Sequence, residues 1–283
     1  MRDIKMSIVT VCLNAAGTVE QALDSVLTQT CPPFEYIVID SGSTDGTREI
    51  IERYRPRLTH VVLEPDEGIY DAFNKGVARA TGDVIGILNA DDLYAPWALE
   101  TVAEAYRQSP DPGVFYGKLA VVDETRRRWT VYPVGDHHRL TGRMSIAHPA
   151  TFVARRMYER YGLFDSTFRV SGDWEFILRL FRAGERFCCI DRVLTAFRNS
   201  GISSAYTPRL LAENRRIYKS ILPRCAAWRA ILKMHLEHWG RRTVNALGLA
   251  EIYARYRDGR LLNAERTGKF DGDFEKLWRL LSR

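Results

Sequence analysis

The 283-residue chain contains no G-x-G-x-x-G and no G-x-x-x-x-G-K-[ST]. The loop after its first apolar run reads Asn14-Ala15-Ala16-Gly17, which does not let a pyrophosphate approach the backbone closely. A dinucleotide-dependent oxidoreductase and a P-loop enzyme are both disfavoured. Cysteine is sparse. Cys12, Cys31, Cys188, Cys189 and Cys225 are odd in number and show no C-x-x-C spacing, which fits reduced thiols and argues against a zinc site. No uninterrupted apolar run nears the ~18 residues a spanning helix needs, and the N-terminus lacks the regions of a signal peptide. The expectation is a cytosolic chain.

What is present supports a sizeable core, since 46% of residues are hydrophobic. The net charge of +6 is unevenly placed. Residues 205–283 hold 17 Lys plus Arg against 8 Asp plus Glu, a balance of +9, whereas residues 1–204 hold 24 against 27. The expected division is therefore a domain over 1–204 and a basic, mainly helical extension over 205–283. Such asymmetry points to an anionic surface met by the C-terminus.

Strand-like β-branched and apolar runs at residues 7–13, 34–40, 60–64 and 84–89 alternate with helical spacing at 18–27, 47–54 and 69–80. The β-α-β-α-β-α-β order predicts an open, mostly parallel α/β sheet with helices on both faces. The run Val84-Ile85-Gly86-Ile87-Leu88-Asn89 ends in Ala90-Asp91-Asp92. Acids at the carboxyl end of a strand lie where such sheets bind ligands. Adjacent carboxylates repel, so Mg²⁺ or Mn²⁺ carrying a diphosphate is one reading of the pair, and a turn cap with a solvated neighbour is the other. Asp40 ends the second strand and opens Ser41-Gly42-Ser43-Thr44-Asp45-Gly46-Thr47, which turn chemistry largely explains.

These segments resemble the inverting glycosyltransferases of family 2, with the GT-A fold. The resemblance rests on residues 7–14, on Ile39 to Thr47 and on Leu88-Asn89-Ala90-Asp91-Asp92, in order over about the first two hundred residues. Residues 67–76, Glu-Gly-Ile-Tyr-Asp-Ala-Phe-Asn-Lys-Gly, look most like the branch that builds bacterial surface polysaccharides. The resemblance implies a nucleotide-sugar donor, with a UDP-sugar first among candidates. Donor contacts would come from Thr10, Leu13, Asn14, Asp40, Ser41, Gly42, Asp71, Lys75, Asn89, Ala90 and Asp91, and metal contacts from Asp91 and Asp92. Two departures stand out: Asn89 takes the first position of the family's D-x-D, and Phe73 stands where an arginine is common, with Lys75 close by.

The acceptor side is read from Val170-Ser171-Gly172-Asp173-Trp174-Glu175, an acid at a loop-to-helix junction. It resembles the family's E-D motif, which makes Asp173 the general base and puts Gly172 where Glu usually stands. By residue type alone Asp173 is equally a helix-dipole residue, Trp174 a sugar platform or a core residue, and His148 a pocket or an ordinary hydrogen-bonded histidine. Arg198 opens a polar loop, either at the donor phosphates or on the surface. In the tail, Trp228, Ile231, Leu232, His235, Leu236 and Trp239 share one helical face framed by Arg224, Arg229, Lys233, Arg241 and Arg242. That face either docks on the domain or lies in a membrane interface.

The expected function is thus a hexosyltransferase of the inverting kind, acting on a glycan or polyprenyl-diphosphate-linked acceptor at the inner face of a membrane, without nucleic acid. Its rivals are a nucleotidyltransferase on a similar scaffold and a non-catalytic nucleotide-sugar-binding subunit.

Overall fold

The computed structural model describes residues 4–109, 111–123, 128–132, 134–198 and 207–246. The first half follows the expected alternation: β1 (Met6–Cys12), α1 (Val19–Leu27), β2 (Glu35–Asp40), α2 (Thr47–Tyr54), β3 (His60–Leu63), α3 (Ile69–Val77) and β4 (Val84–Asn89). These four strands are mutually parallel in the order β3-β2-β1-β4. The second half adds β5 (Leu93–Tyr94), α4 (Ala98–Gln108), β6 (Val114–Asp123), β7 (Arg128–Tyr132), β8 (Thr151–Ala154), α5 (Arg155–Tyr161), α6 (Gly172–Arg182) and β9 (Phe187–Arg198). Here antiparallel pairing enters. β8 runs against both β4 and β6, and β9 runs parallel to β6, completing the order β3-β2-β1-β4-β8-β6-β9-β5 with β7 on the outer part of β6.

Two antiparallel steps from β4 to β6 restore direction, so β6 and β9 point the same way as β1, β2 and β4. The C-terminal ends of β1, β2, β4 and β9 therefore lie along one edge. Side chains alternate across the sheet with period two. Met6, Ile8 and Cys12 face one apolar cluster with Val19, Leu23 and Val26 of α1, Ile51 of α2 and Leu99 and Val102 of α4. Val9 and Val11 face the other, with Tyr70, Phe73 and Val77 of α3, Met157 and Tyr158 of α5 and Phe176, Ile177 and Leu180 of α6.

Two further helices, α7 (Pro208–Ile221) and α8 (Arg224–Ala246), follow a stretch, 199–206, outside the described residues. The polar segment after Arg198 falls there. Ile217 and Tyr218 of α7, with Ile231 and Met234 of α8, join the same apolar cluster as α6. Helical segments pack on their apolar stripes, and α8 has apolar residues to spare. Trp228, Leu232, Leu236 and Trp239, spaced i, i+4, i+8 and i+11, are 60–73% exposed. The single tail stripe expected from the sequence is thus split between an inner face that docks and an outer face that does not. Side chains of Arg241 and Arg242 lie outside the described set.

Trp174 resolves to the core. It is 3% exposed, donates its indole N–H to the Leu140 carbonyl at 2.8 Å and meets Tyr218 edge to face at 5.4 Å. The sugar-platform reading of Trp174 is corrected accordingly, because its ring is spent joining α6 to α7. Trp174→Ala is expected to cost roughly 3–5 kcal/mol in urea unfolding, the range for a large buried aromatic; a loss below about 1 kcal/mol would contradict this placement.

Candidate active site

The site grows from strand tips. Asp40, the last residue of β2, is 0% exposed. Its Oδ2 accepts from the backbone N–H of Gly42 (3.2 Å) and Ser43 (3.0 Å) and from Arg48 Nε (2.9 Å), while Oδ1 is buried with no partner. Gly42 allows this wrap because its φ is +100°. The rest of Ser41 to Thr47 is stitched to the loop after β1. Ser43 Oγ accepts from Asn14 N–H (2.8 Å), Asn14 Oδ1 from Thr44 N–H (3.0 Å), Thr47 Oγ1 from Ala15 N–H (2.8 Å) and Asp45 Oδ2 from Ala16 N–H (3.0 Å). The short polar residues thus shape two adjoining loops at once. Leu13 stands 60% exposed between them.

β1 separates the tips of β2 and β4, so Asp40 and Asp91 are not carried by adjacent strands. Two strand spacings, about 9–10 Å, lie between the strands that carry them. Past β4, Ala90 N–H donates to Val11 C=O (3.1 Å) and Asp92 N–H to Asn89 C=O (3.1 Å), closing a tight turn. Asp92 is 0% exposed; its Oδ2 accepts from Asn89 Nδ2 at 3.4 Å, while Asp92 Oδ1 and Asn89 Oδ1 are buried without partners. Burial, and then repulsion from Asp91, pushes the Asp92 carboxyl well above the usual range. Burial also raises Asp91, against the opposing charge of Arg198.

Arg198 is the residue sequence reasoning placed least well. It ends β9, is buried, and donates through Nη1 to Asp91 C=O (3.2 Å) and through Nη2 to Gln21 Oε1. It belongs to the packed wall behind the acid pair, not to a surface loop. Thr10 also moves out of the pocket. Fully buried in β1, it shares its hydroxyl with Tyr36 OH at 3.0 Å and supports the strand from beneath. Burial, with the Asp40 charge adding to it, drives the Cys12 thiol far up, so this cysteine is chemically inert.

The loop between β3 and α3 closes the β2 side. Lys75 Nζ donates to Pro65 C=O (2.6 Å) and pairs with Asp71 (3.3 Å) and Glu64 (3.5 Å), and Asp71 Oδ2 accepts from Glu67 N–H (3.1 Å). Both residues hold this loop. Asp66, unmarked in the sequence, caps Gly68 N–H (2.8 Å) and keeps a buried Oδ2 without a partner. Its position three residues past β3 was the available signal.

Asp173 enters from α6. Tyr70 OH, on α3, lies 3.1 Å from Asp173 Oδ1 and 2.8 Å from Val170 C=O and donates to both. A Cβ at Gly172 would fall 2.8 Å from the Tyr70 ring, so the ring fills the space a glutamate at that position would need. Tyr70 is a second residue the sequence did not single out. His148 precedes β8, whose antiparallel register carries it toward the β4 tip, and its ring stacks on Phe73 at 5.0 Å and 3°. Burial lowers the His148 pKa while the Asp173 charge opposes that shift, leaving a neutral imidazole near Asp173 at neutral pH.

An open α/β sheet with buried acids at the tips of its parallel strands places a ligand-binding crevice at that edge. The family model of glycosyl transferase family 2 matches residues 7–165, more than half of the chain, and the chain belongs to that family, with the GT-A-type fold. A Mycobacterium bovis "PGL/p-HBAD biosynthesis glycosyltransferase" is 35% identical over 179 residues, 62% of this chain and 69% of the relative. Among solved structures, S. aureus TarS 1-349 in complex with UDP-GlcNAc superposes with TM-score 0.65 at 18% identity, over 86% of this chain and 76% of that one. The chain spans 44% of the longer TarS structure. Mannosyltransferase PcManGT from Pyrobaculum calidifontis, in complex with GDP-Man and Mn²⁺, gives 0.59 at 21% identity over all of this chain and 81% of that one.

An oxygen-only donor set with two unpartnered buried oxygens and two raised carboxyls fits a hard divalent cation, which would relieve the repulsion within the pair. The sign of the pH effect follows. A carboxyl raised in the folded state adds stability below its unfolded pKa, and that stability is lost as pH rises through the folded value. In chelator-treated protein, Asp92→Asn should therefore melt a few degrees above the parent at neutral pH, at about 2–4 °C per kcal/mol. The gap should shrink toward zero as pH falls to the ordinary carboxylate range near 4. A variant less stable than the parent at neutral pH, or a gap independent of pH, would refute the strained-pair assignment.

Proposed function

We propose that the chain is a metal-dependent, inverting glycosyltransferase that moves a sugar from a nucleotide-sugar donor to a glycan or lipid-linked acceptor of the cell surface. The observation that carries this reading is the convergence on one sheet edge of Asp40, the Asn89 to Asp92 turn and, through Tyr70 and His148, Asp173. The unpartnered Asp40 Oδ1 suits an N–H of a nucleotide base. Leu13 and Asn14, with Ser41, Gly42 and the Asp71–Lys75 pair of α3, would frame that base and the ribose. The TarS complexes with UDP and UDP-GlcNAc make a UDP-sugar the first donor to test.

Asp91, Asp92 and the Asn89 amide oxygen would hold Mg²⁺ or Mn²⁺, which when bound neutralises charge on the departing diphosphate. Asp173 takes the proton of the acceptor hydroxyl as that oxygen attacks the anomeric carbon. The bond from this carbon to the phosphate oxygen breaks, and its electron pair leaves with the nucleoside diphosphate. Attack from the face opposite the leaving group inverts the anomeric centre, and no covalent enzyme intermediate forms. Tyr70 keeps Asp173 an acceptor by donating to the oxygen that lies beside it, and a neutral His148 does not compete for the proton.

Released nucleoside diphosphate, and not pyrophosphate, separates this activity from nucleotidyl transfer. Asp173→Asn is expected to leave donor affinity in calorimetry unchanged while kcat falls by about 10²- to 10⁴-fold. A helix-dipole role alone, with Ser171 as the N-cap, predicts near-full activity. A variant above about a tenth of the parent rate would remove Asp173 from the base role.

The outer face of α8 supports peripheral attachment to the inner leaflet. Among the described residues no helix is long and apolar enough to cross a membrane, so α8 would lie along the surface. Trp228, Leu232, Leu236 and Trp239 project outward, and the exposed Arg229 and Lys233 share the helix. Each basic residue near an anionic surface is worth about 1 kcal/mol. Replacing Trp228 and Trp239 by Ser should abolish salt-sensitive cosedimentation with anionic vesicles while the melting temperature holds. Binding at the parent level would assign this face to another partner.

A further inference from the structure

α7 lies outside the stretch matched by the family model, yet its polar face is devoted to the loop that carries Asp173. Glu213 Oε1 accepts the backbone N–H of Arg169, and Oε2 accepts those of Val170 and Ser171, all at 2.9 Å. Asn214 Oδ1 accepts the Ser171 hydroxyl at 2.8 Å. One turn on, Arg216 pairs with Asp165 at 2.8 Å, donates to Thr167 Oγ1 at 2.7 Å and covers the Phe168 ring at 4.3 Å. Three residues of one helix thus grip 165–171, and the gripped backbone runs straight into Gly172 and Asp173. From the opposite side Tyr70 holds Val170 C=O and Asp173 Oδ1 with a single hydroxyl.

Apolar contacts through Ile217 and Tyr218 already dock α7. Each hydrogen bond of the Glu213 carboxylate goes to the loop. Three charge-assisted bonds to consecutive N–H groups leave this backbone little freedom to shift. We propose that Glu213 is a positioning residue for glycosyl transfer: it fixes the 169–171 backbone and thereby the geometry in which Tyr70 meets Asp173. The proposal rests on Asp173 as the base, and it makes α7 part of the catalytic unit instead of an appendage.

Glu213→Gln keeps the size of the side chain but replaces one accepting oxygen with an N–H₂ group. Hydrogen exchange read by mass spectrometry on the whole chain should show faster exchange at 169–171, with β1 and β4 unchanged. Donor affinity should hold, while kcat falls by about ten- to a hundredfold, the scale of an ångström-level misplacement. Tyr70→Phe, which keeps all three Glu213 bonds to 169–171 but loses the contact with Asp173, should lower kcat with a smaller change in exchange there. Glu213→Asp, which keeps the charge but draws the oxygens back by one methylene, should give the same split in milder form if the Gln variant folds poorly. Parental exchange at 169–171 overturns the brace, and faster exchange with parental kcat overturns its role in transfer. A parental rate in Asp173→Asn would overturn the base assignment and with it the catalytic half of the proposal, whereas the exchange experiment isolates failure of the brace alone.

Discussion

Asp40 and Asp92 are both removed from solvent, and each keeps one carboxylate oxygen with no protein partner. Burying an ionised carboxylate is costly unless it is paired or hydrogen-bonded. The two acids resolve this differently. Asp40 is compensated on one oxygen by two backbone N–H groups and Arg48, whereas Asp92 has the backbone N–H and the charge of Arg198, a long bond from Asn89 and a repelling neighbour. Much of the surrounding structure serves this constraint. β1 spaces the two acids, the polar loop after β2 wraps the first, and the end of β9 brings Arg198 under the second.

The parallel order of β3-β2-β1-β4 gathers the strand ends on one edge, and two antiparallel steps bring β9 to the same edge. That geometry explains how residues as distant in sequence as Asp40, Asp91 and Arg198 serve one site. Asp173 arrives by another route. α3, which packs against β1 and β2, offers Tyr70 to Asp173 and Phe73 to His148, so the helix between β3 and β4 links the strand-tip edge to the start of α6.

Two departures from the family pattern acquire a physical reason. Gly172 stands where a glutamate is usual because the Tyr70 ring occupies the volume of any side chain there. Phe73 stands where an arginine is common and spends its ring on a parallel stack with His148. In both places a polar group of the pattern is replaced by an aromatic contact that orients a neighbouring polar residue. The basic tail is likewise not a loose appendage over its described part, since the inner faces of α7 and α8 share the core of α6.

Local signals settled a large part of this. Continuous β-branched and apolar runs and 3.6-period helices placed β1 to β4 and α1 to α3 within a few residues, because the order of apolar residues reveals what each element buries. The polar, glycine-rich loop after β2, the acid pair after β4 and the helix bearing Asp173 were legible from residue type and spacing as well. Tertiary structure decided what depends on partners far away in the chain. β1 lies between Asp40 and Asp91 because strand order is set by crossover connections and not by adjacency in sequence. Trp174 is core and Arg198 is buried because Leu140, Tyr218, Gln21 and Asp91 converge on them from distant segments. Tyr70 and Glu213 carried no local mark, since a tyrosine or a glutamate acquires its role only from the group it meets across the fold. The apolar stripe of α8 was visible as a stripe, but its division into a docked and an outward face was set by how much of it α7 and α6 could cover.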